Sequence, residues 1–226
     1  MHVELVNQPG NTAAKIYLRP GDSCTAESGA MLAMSSNVQI TTTTHKKQKG
    51  SIFKAAKRLL GGESLFLNHF EVLSDTGEVW LGTGLAGDML VMPLDNDNLI
   101  VQGGSFLACD QGIDVDMGWQ GFKSLLSGEN VFWLRLKGSG TAVLSSFGAI
   151  YPLEIDGDYI VDSGHIVAFS ETLKFTITKA GKSWIQSILG GEGLVCKFSG
   201  RGTIWCQSHN EKSFGALLTP HLKLRS

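Results

Sequence analysis

The sequence predicts an all-β fold with short helices, laid out as one domain of three diverged repeats. Three observations predict it. The octapeptides LLGGESLF (59–66), LLSGENVF (125–132) and ILGGEGLV (188–195) write one pattern three times. Apolar and polar residues alternate with a period of two in several stretches, as half-buried strands require. The chain holds 28 glycines and 5 prolines in 226 residues, a composition suited to many tight turns.

Each copy opens on a box of small-Gly-x-apolar-apolar-Ala-apolar: SGAMLAM (28–34), GGSFLAC (103–109) and SGHIVAF (163–169). Gly29, Gly104 and Gly164 mark the turn of a strand pair. An alternating strand comes after it, shown in the third copy by Leu173, Phe175 and Ile177 against Lys174, Thr176 and Thr178. A short amphipathic helix comes next, at 52–60, 119–126 and 183–189. Gly62, Gly128 and Gly191 then stop it, because glycine accepts the positive φ of a helix C-cap. A strand leaves this corner, with Phe132, Leu134 and Leu136 on one face and Trp133, Arg135 and Lys137 on the other. Gly-x-Gly at 82–84, 138–140 and 200–202 permits a bulge or tight turn before a further strand such as 203–207. No βαβ alternation is sustained, which argues against a parallel α/β sheet. The repeats are expected to span 1–95, 96–155 and 156–226.

The repeated acid of the corner, at Glu63, Glu129 and Glu192, begins the outgoing strand. Its expected role is to accept hydrogen bonds from backbone amides and clamp the corner. The competing reading gathers the three carboxylates near an internal axis around a hard cation.

Together these boxes resemble the altered-inheritance-of-mitochondria family, whose bacterial members are uncharacterised conserved proteins. The resemblance covers roughly residues 5–218. It implies a fold of three fused copies of the β-sandwich unit of the tryptophan RNA-binding attenuation protein (TRAP), arranged with pseudo-three-fold symmetry. It implies no catalytic residues. TRAP's RNA contacts do not carry over, since Lys46, Lys47 and Lys49 have no counterparts in the second and third copies.

Composition narrows the function classes. At this length roughly 70% of the unfolded chain's surface can be buried without a disulfide or metal. The formal net charge of −2 provides no global basic field for nucleic acid or membrane. Cys24, Cys109, Cys196 and Cys206 form no CxxC pair and read as reduced thiols of a cytosolic protein. Cys196 and Cys206 could meet across a hairpin, though that alone makes no zinc site. The first residues lack an apolar signal core, and no apolar run approaches the ~18 residues of a spanning helix. The expectation is a cytoplasmic protein.

Chemical motifs are sparse. The six histidines make no HxH or HExxH pair, and Gly-x-Ser-x-Gly does not occur. Residues 82–87 spell GxGxxG, but residues 88–93 are strand-like and broken by Pro93, whereas a dinucleotide site needs a helix there. Asp114 and Asp116 share a strand face, and Asp95 and Asp97 bracket an Asn in the turn-like PLDNDN; both pairs read as solvated turns or edges. One stretch is asymmetric among the copies: Lys46, Lys47, Lys49, Lys54, Lys57 and Arg58 precede any acid in 44–62. It reads as a helix packed on the sandwich, or as a contact for an anionic membrane surface or nucleic acid.

The expected function is a non-enzymatic β scaffold for binding or assembly, without cofactor or metal. Exposed edge strands suit it to homo-oligomerisation or to an unidentified protein partner, and the apolar tail at 214–223 could cover an edge or enter a neighbour. The rival is a small-ligand carrier or enzyme with a pocket between repeats, lined by Trp119, Trp133, Trp184 and Trp205.

Overall fold

A computed structural model describes residues 1–43, 66–116, 132–179 and 194–222. Among these, strands dominate and one short helix stands near the end. The chain begins with β1 (His2–Val6), β2 (Ala13–Leu18), β3 (Ser23–Glu27), β4 (Met31–Met34), β5 (Val38–Thr43), β6 (Leu67–Val72) and β7 (Gly77–Leu81). It continues through β8 (Met89–Gln102), β9 (Phe106–Asp110), β10 (Ile113–Asp116) and β11 (Trp133–Ser145). Then come β12 (Ile150–Asp162), β13 (Ile166–Ser170), β14 (Lys174–Lys179), β15 (Leu194–Gln207) and the helix α1 (Glu211–Leu218).

The strands form two sheets. One has the order β1-β2-β7-β4. The other has eleven strands, ordered β12-β15-β13-β8-β11-β9-β3-β6-β5, with β10 also on β11 and β14 also on β15. The strand pairs are antiparallel; an isolated parallel bridge joins Gly87 to Gly148.

Four strands of 13 or 14 residues, β8, β11, β12 and β15, form the frame. Each bends in its middle, where a residue takes positive φ: Asn96 at 58°, Gly138 at 118°, Gly157 at 117° and Gly200 at 113°. A flat strand of that length could not wrap a core, and residues of positive φ supply the bend, with Gly140 at 145° joining Gly138 in β11. Near the N-terminus the same change of direction is a full break. There β2 and β3 are separated by a turn containing Gly21, and β6 and β7 by one containing Asp75, both with positive φ.

Three ladders run against these strands. β4 pairs with β7, β9 with β11 and β13 with β15. Each skips one residue, at Leu32, Leu107 and Val167 respectively. Alternation explains the core. β2 reads intermediate-buried throughout, with Ala14, Ile16 and Leu18 inward. β10 does the same, with Ile113 and Val115 inward and Asp114 and Asp116 on the other face, as expected. Three hydrophobic clusters result. The first lies between β2 and β7 of the smaller sheet and β3, β6 and β9 of the larger. The other two lie within curls of the larger sheet. The last is aromatic: Phe169 meets Phe198, Phe175 and Trp133 edge-to-face at 5.2, 4.7 and 5.4 Å, the arrangement favoured by ring quadrupoles.

Several expectations change. Gly82-Thr83-Gly84 is no counterpart of the other two Gly-x-Gly pairs. It comes after the end of β7, while 138–140 and 200–202 lie inside β11 and β15. Counting along the ladders, the residues matching 138–140 are Asp75-Thr76-Gly77. A Cβ on Gly77 would lie 2.8 Å from Val38 Cγ2, and one on Gly140 2.8 Å from Asp110 Cβ. Asp95 and Asp97 belong to β8 and flank its bend, so PLDNDN is a kinked strand and not a turn between strands. Trp133 is buried and joins the aromatic cluster, so β11 begins covered on both faces. Cys196 and Cys206 stand on one strand, β15, opposite Val161 and Tyr151 of β12, and do not face each other across a hairpin. The expected boundaries 95/96 and 155/156 fall inside β8 and β12. The helices expected at 52–60, 119–126 and 183–189 lie outside the described residues.

Candidate functional site

Two joints carry the larger sheet from one part of the chain to the next. In the first, β3 pairs with β9: Cys24 opposite Asp110, Thr25 opposite Cys109, Ala26 opposite Ala108. In the second, β8 pairs with β13: Leu99 opposite Ser170, Ile100 opposite Phe169, Val101 opposite Ala168. The box alanine takes the same place in both. It faces the penultimate residue of the partner strand, β3 or β8, the one before Glu27 or Gln102.

The remaining box strand, β4, and the strand β12 lack such a joint among the described residues. β4 stands at one edge of the smaller sheet and β12 at one edge of the larger. The difference in exposure is large. Leu32 of β4 is 62% exposed, while Leu107 and Val167, at the same ladder position, are 1% and 0%. On β12, Tyr159 is 47% and Ile160 61% exposed, while Ile100 of β8 is 0%. Among the described residues both edges thus present apolar side chains beside a backbone edge with no strand partner. Edges of that kind are the standard template for strand addition.

A second feature is a cleft of about 650 Å³ beside β2 and β7, lined by His2, Tyr17, Arg19, Asp22, Ser35 and Glu78 among others. Two of its polar side chains, Glu78 and Tyr17, are engaged by neighbours outside the lining. Glu78 Oε2 takes an ion pair from Lys15 Nζ at 2.8 Å, and its Oε1 accepts from Trp80 Nε1 at 3.2 Å. These contacts hold the Glu78 carboxyl below its ordinary range and raise the lysine. Lys15 Nζ also lies 4.6 Å from the Tyr17 ring centroid and 5.1 Å from that of Trp80. Tyr17 donates its hydroxyl to Glu4 at 2.7 Å.

The chemical candidates resolve into structural roles. All four cysteines are buried thiols. Burial, with Asp110 nearby, pushes Cys24 up to about 12, and burial alone pushes Cys206 to about 11, so neither offers thiolate at neutral pH. His69 lies between two threonine hydroxyls, 2.9 Å from Thr25 Oγ1 and 2.7 Å from Thr43 Oγ1. His165 Nδ1 donates to the Gln207 carbonyl at 2.8 Å, which fixes its tautomer. Among the described residues no group of three or more His, Cys, Asp or Glu gathers as a metal site. Among them also, no helix is long and apolar enough to cross a membrane.

A carboxylate that motif reading missed is Glu27, at the end of β3. Burial, and then the charge of Glu211 on α1, raise it to about 7. The matching residues at the ends of β8 and β12 are Gln102 and Asp162. Asp162 Oδ1 accepts from Gly164 N at 2.7 Å and caps the turn there.

The family model for Mitochondrial biogenesis AIM24 matches residues 3–209. The chain belongs to this family. A similar relative is an uncharacterised protein of Streptococcus pyogenes serotype M6, 30% identical over 219 residues, covering 94% of this chain and 87% of its own. Among solved structures, an X-ray crystal structure of a Streptococcus pyogenes protein superposes with a TM-score of 0.79 at 28% identity. It covers 98% of this chain and 99% of that one.

Of the residues that the sequence singled out, Gly29, Gly104 and Gly164 are described. All three stand in the turn that precedes a box strand. Gly29 has a φ of 95°, and the other two sit in 3-10 turns. Gly62, Gly128, Gly191, Glu63, Glu129 and Glu192 lie outside the described residues, as do Lys46, Lys47, Lys49, Lys54, Lys57, Arg58, Trp119 and Trp184. The apolar tail forms α1, capped by Asn210, whose side chain accepts from Lys212 N and Ser213 N. Phe214 of this helix meets Phe147 at 5.3 Å. The exposed edges of β4 and β12 escaped motif reading. The box pattern is alike in all three copies, and nothing within it says which copy lacks a neighbour.

Proposed function

We propose that the chain is a non-enzymatic, cytoplasmic β scaffold for binding or assembly, made of three diverged TRAP-like repeats joined edge to edge, with the third joint of the expected pseudo-three-fold arrangement left open among the described residues. One observation carries this reading: the joints β3–β9 and β8–β13 use the same register, with the box alanine in the same slot. Counted from the ladders, the repeats run over 12–82, 88–145 and 149–207, which moves the expected boundaries out of β8 and β12. Repeats that join through strand edges are units of assembly, since each edge can accept a further unit in the same way. The positive-φ bends and one-residue ladder slips recur at matching places, as expected of copies diverged from one unit.

Native mass spectrometry of protein purified gently from its own cells tests this. The expected result is a defined protein mass, alone or with a protein partner. A stoichiometric added mass of a metal, lipid or metabolite overturns the reading in favour of a ligand carrier or enzyme.

A further inference from the structure

We propose that a second copy of this chain makes the missing third joint, its β12 edge pairing antiparallel with β4 so that Val161 faces Ala33. The inference rests on the repeat-scaffold reading and names the partner and register of its open ends.

The register comes from the two joints already made. At the first, Ala26 faces Ala108 and Thr25 faces Cys109. At the second, Val101 faces Ala168 and Ile100 faces Phe169. Ala26 and Val101 each precede the residue that ends the long strand's ladder, Glu27 opposite Leu67 and Gln102 opposite Trp133. On β12 that last residue is Asp162, opposite Val195, so the matching residue is Val161. On β4 the box alanine is Ala33, next to the skipped Leu32. Carried over, the third joint sets Val161 against Ala33, Ile160 against Met34 and Tyr159 against Ser35.

The side chains suit that placement. Each joint opposes an alanine to an alanine or a valine, and beyond it stands a larger pair. Met34 with Ile160 has the apolar character of Phe169 with Ile100. β4 carries no charge, and Asp158 on β12 is engaged by Lys197 at 2.7 Å. The protective devices of natural edges, an inward charge or a proline, are therefore missing from the four residues of β4.

The two edges are different surfaces, so the contact is head-to-tail. Such a contact propagates until it closes into a ring or runs on as a filament. Two-fold pairing of β4 with β4 would not reproduce the joint, because β4 would then face another box strand instead of a long strand.

The test uses the full chain in two single variants, Met34→Cys and Ile160→Cys, and a short thiol-to-thiol crosslinker. Both positions are exposed, and the four native thiols are buried. The expected result is covalent dimer from the mixture of variants and little from either alone. Light scattering should show the unaltered chain as an oligomer, and Ile160→Lys should weaken association by about tenfold or more. Three results overturn the proposal: linkage of Met34→Cys only to itself; a chain carrying both cysteines that links within itself at high dilution; or an unaltered chain that stays monomeric across micromolar concentrations. An oligomer held through another surface overturns this joint and leaves the scaffold reading standing. An added stoichiometric mass strikes the scaffold reading itself.

Discussion

β4 and β9 are written in nearly the same way and live in opposite surroundings. MLAM and FLAC each come after a glycine turn, each pair on one side with a later strand, β7 or β11, and each skip the second residue of the strand. Yet β9 is covered on its other side by β3, and β4 is bare there among the described residues. The burial of a box is thus a property of the joint. A strand's own alternation decides which face points inward. Whether its edge is wet is decided by a neighbour some 80 residues away, or on another chain.

Truncation at matching positions makes the comparison quantitative. Phe106→Ala should cost about 3–5 kcal/mol and Leu107→Ala about 2–5 kcal/mol, because both side chains are fully inside. Leu32→Ala, at the ladder position of Leu107, should change stability by no more than about 0.5 kcal/mol in dilute protein. Urea midpoints of the three variants read this directly. If a second chain covers β4, the Leu32→Ala cost grows with protein concentration while the Leu107→Ala cost does not. Equal costs for Leu32 and Leu107 in dilute protein would mean that β4 is covered within the chain.

The bends sharpen the same contrast between crowded and open ends. Gly138 and Gly157 have nearly the same φ, 118° and 117°. A Cβ on Gly138 would fall 2.2 Å from the Gly112 carbonyl oxygen, while one on Gly157, on the open edge strand, meets nothing within 4 Å. Alanine at either site incurs backbone strain of order 1–3 kcal/mol. Gly138→Ala adds a collision with backbone that cannot swing away. It should therefore cost about 1–3 kcal/mol more than Gly157→Ala. Denaturant curves that show equal costs would place the strain wholly in the dihedral.

How far the fold could be read in advance depends on which constraints are local. The box glycines, the alternation of β10 and β14, and the bends at Gly138 and Gly200 are local consequences of alternation and of glycine's freedom, and all were legible. Asp75-Thr76-Gly77 was not, because an aspartate holds the left-handed place that glycine takes in the other copies. Gly82-Thr83-Gly84 drew attention by spelling alone. The burial of Trp133 on what alternation marks as the outer face needs the curl of the sheet, which brings Phe169 and Phe175 over it. The open edges needed the strand pairing itself, since a free edge is the lack of a distant partner and leaves no local mark.

A pH effect concerns the matching residues Glu27, Gln102 and Asp162, which differ in charge. Gln102 is neutral, Asp162 is tied to a backbone amide, and Glu27 is half-buried and feels the charge of Glu211. Glu27 is raised from 4.5 to about 7, chiefly by desolvation and then by Glu211. The folded chain therefore keeps a proton that the unfolded chain releases across that window. Stability from this group is present in full below 4.5 and is lost as pH rises through about 7, after which it is flat. Glu27→Gln, which copies the residue at the end of β8, should remove the decline. Glu211→Gln should remove only the part due to like charge. Urea midpoints measured from pH 4 to pH 8 separate the two causes. A decline that persists unchanged in Glu27→Gln would assign it to another carboxyl. A decline abolished by Glu211→Gln alone would make charge, not burial, the larger cause.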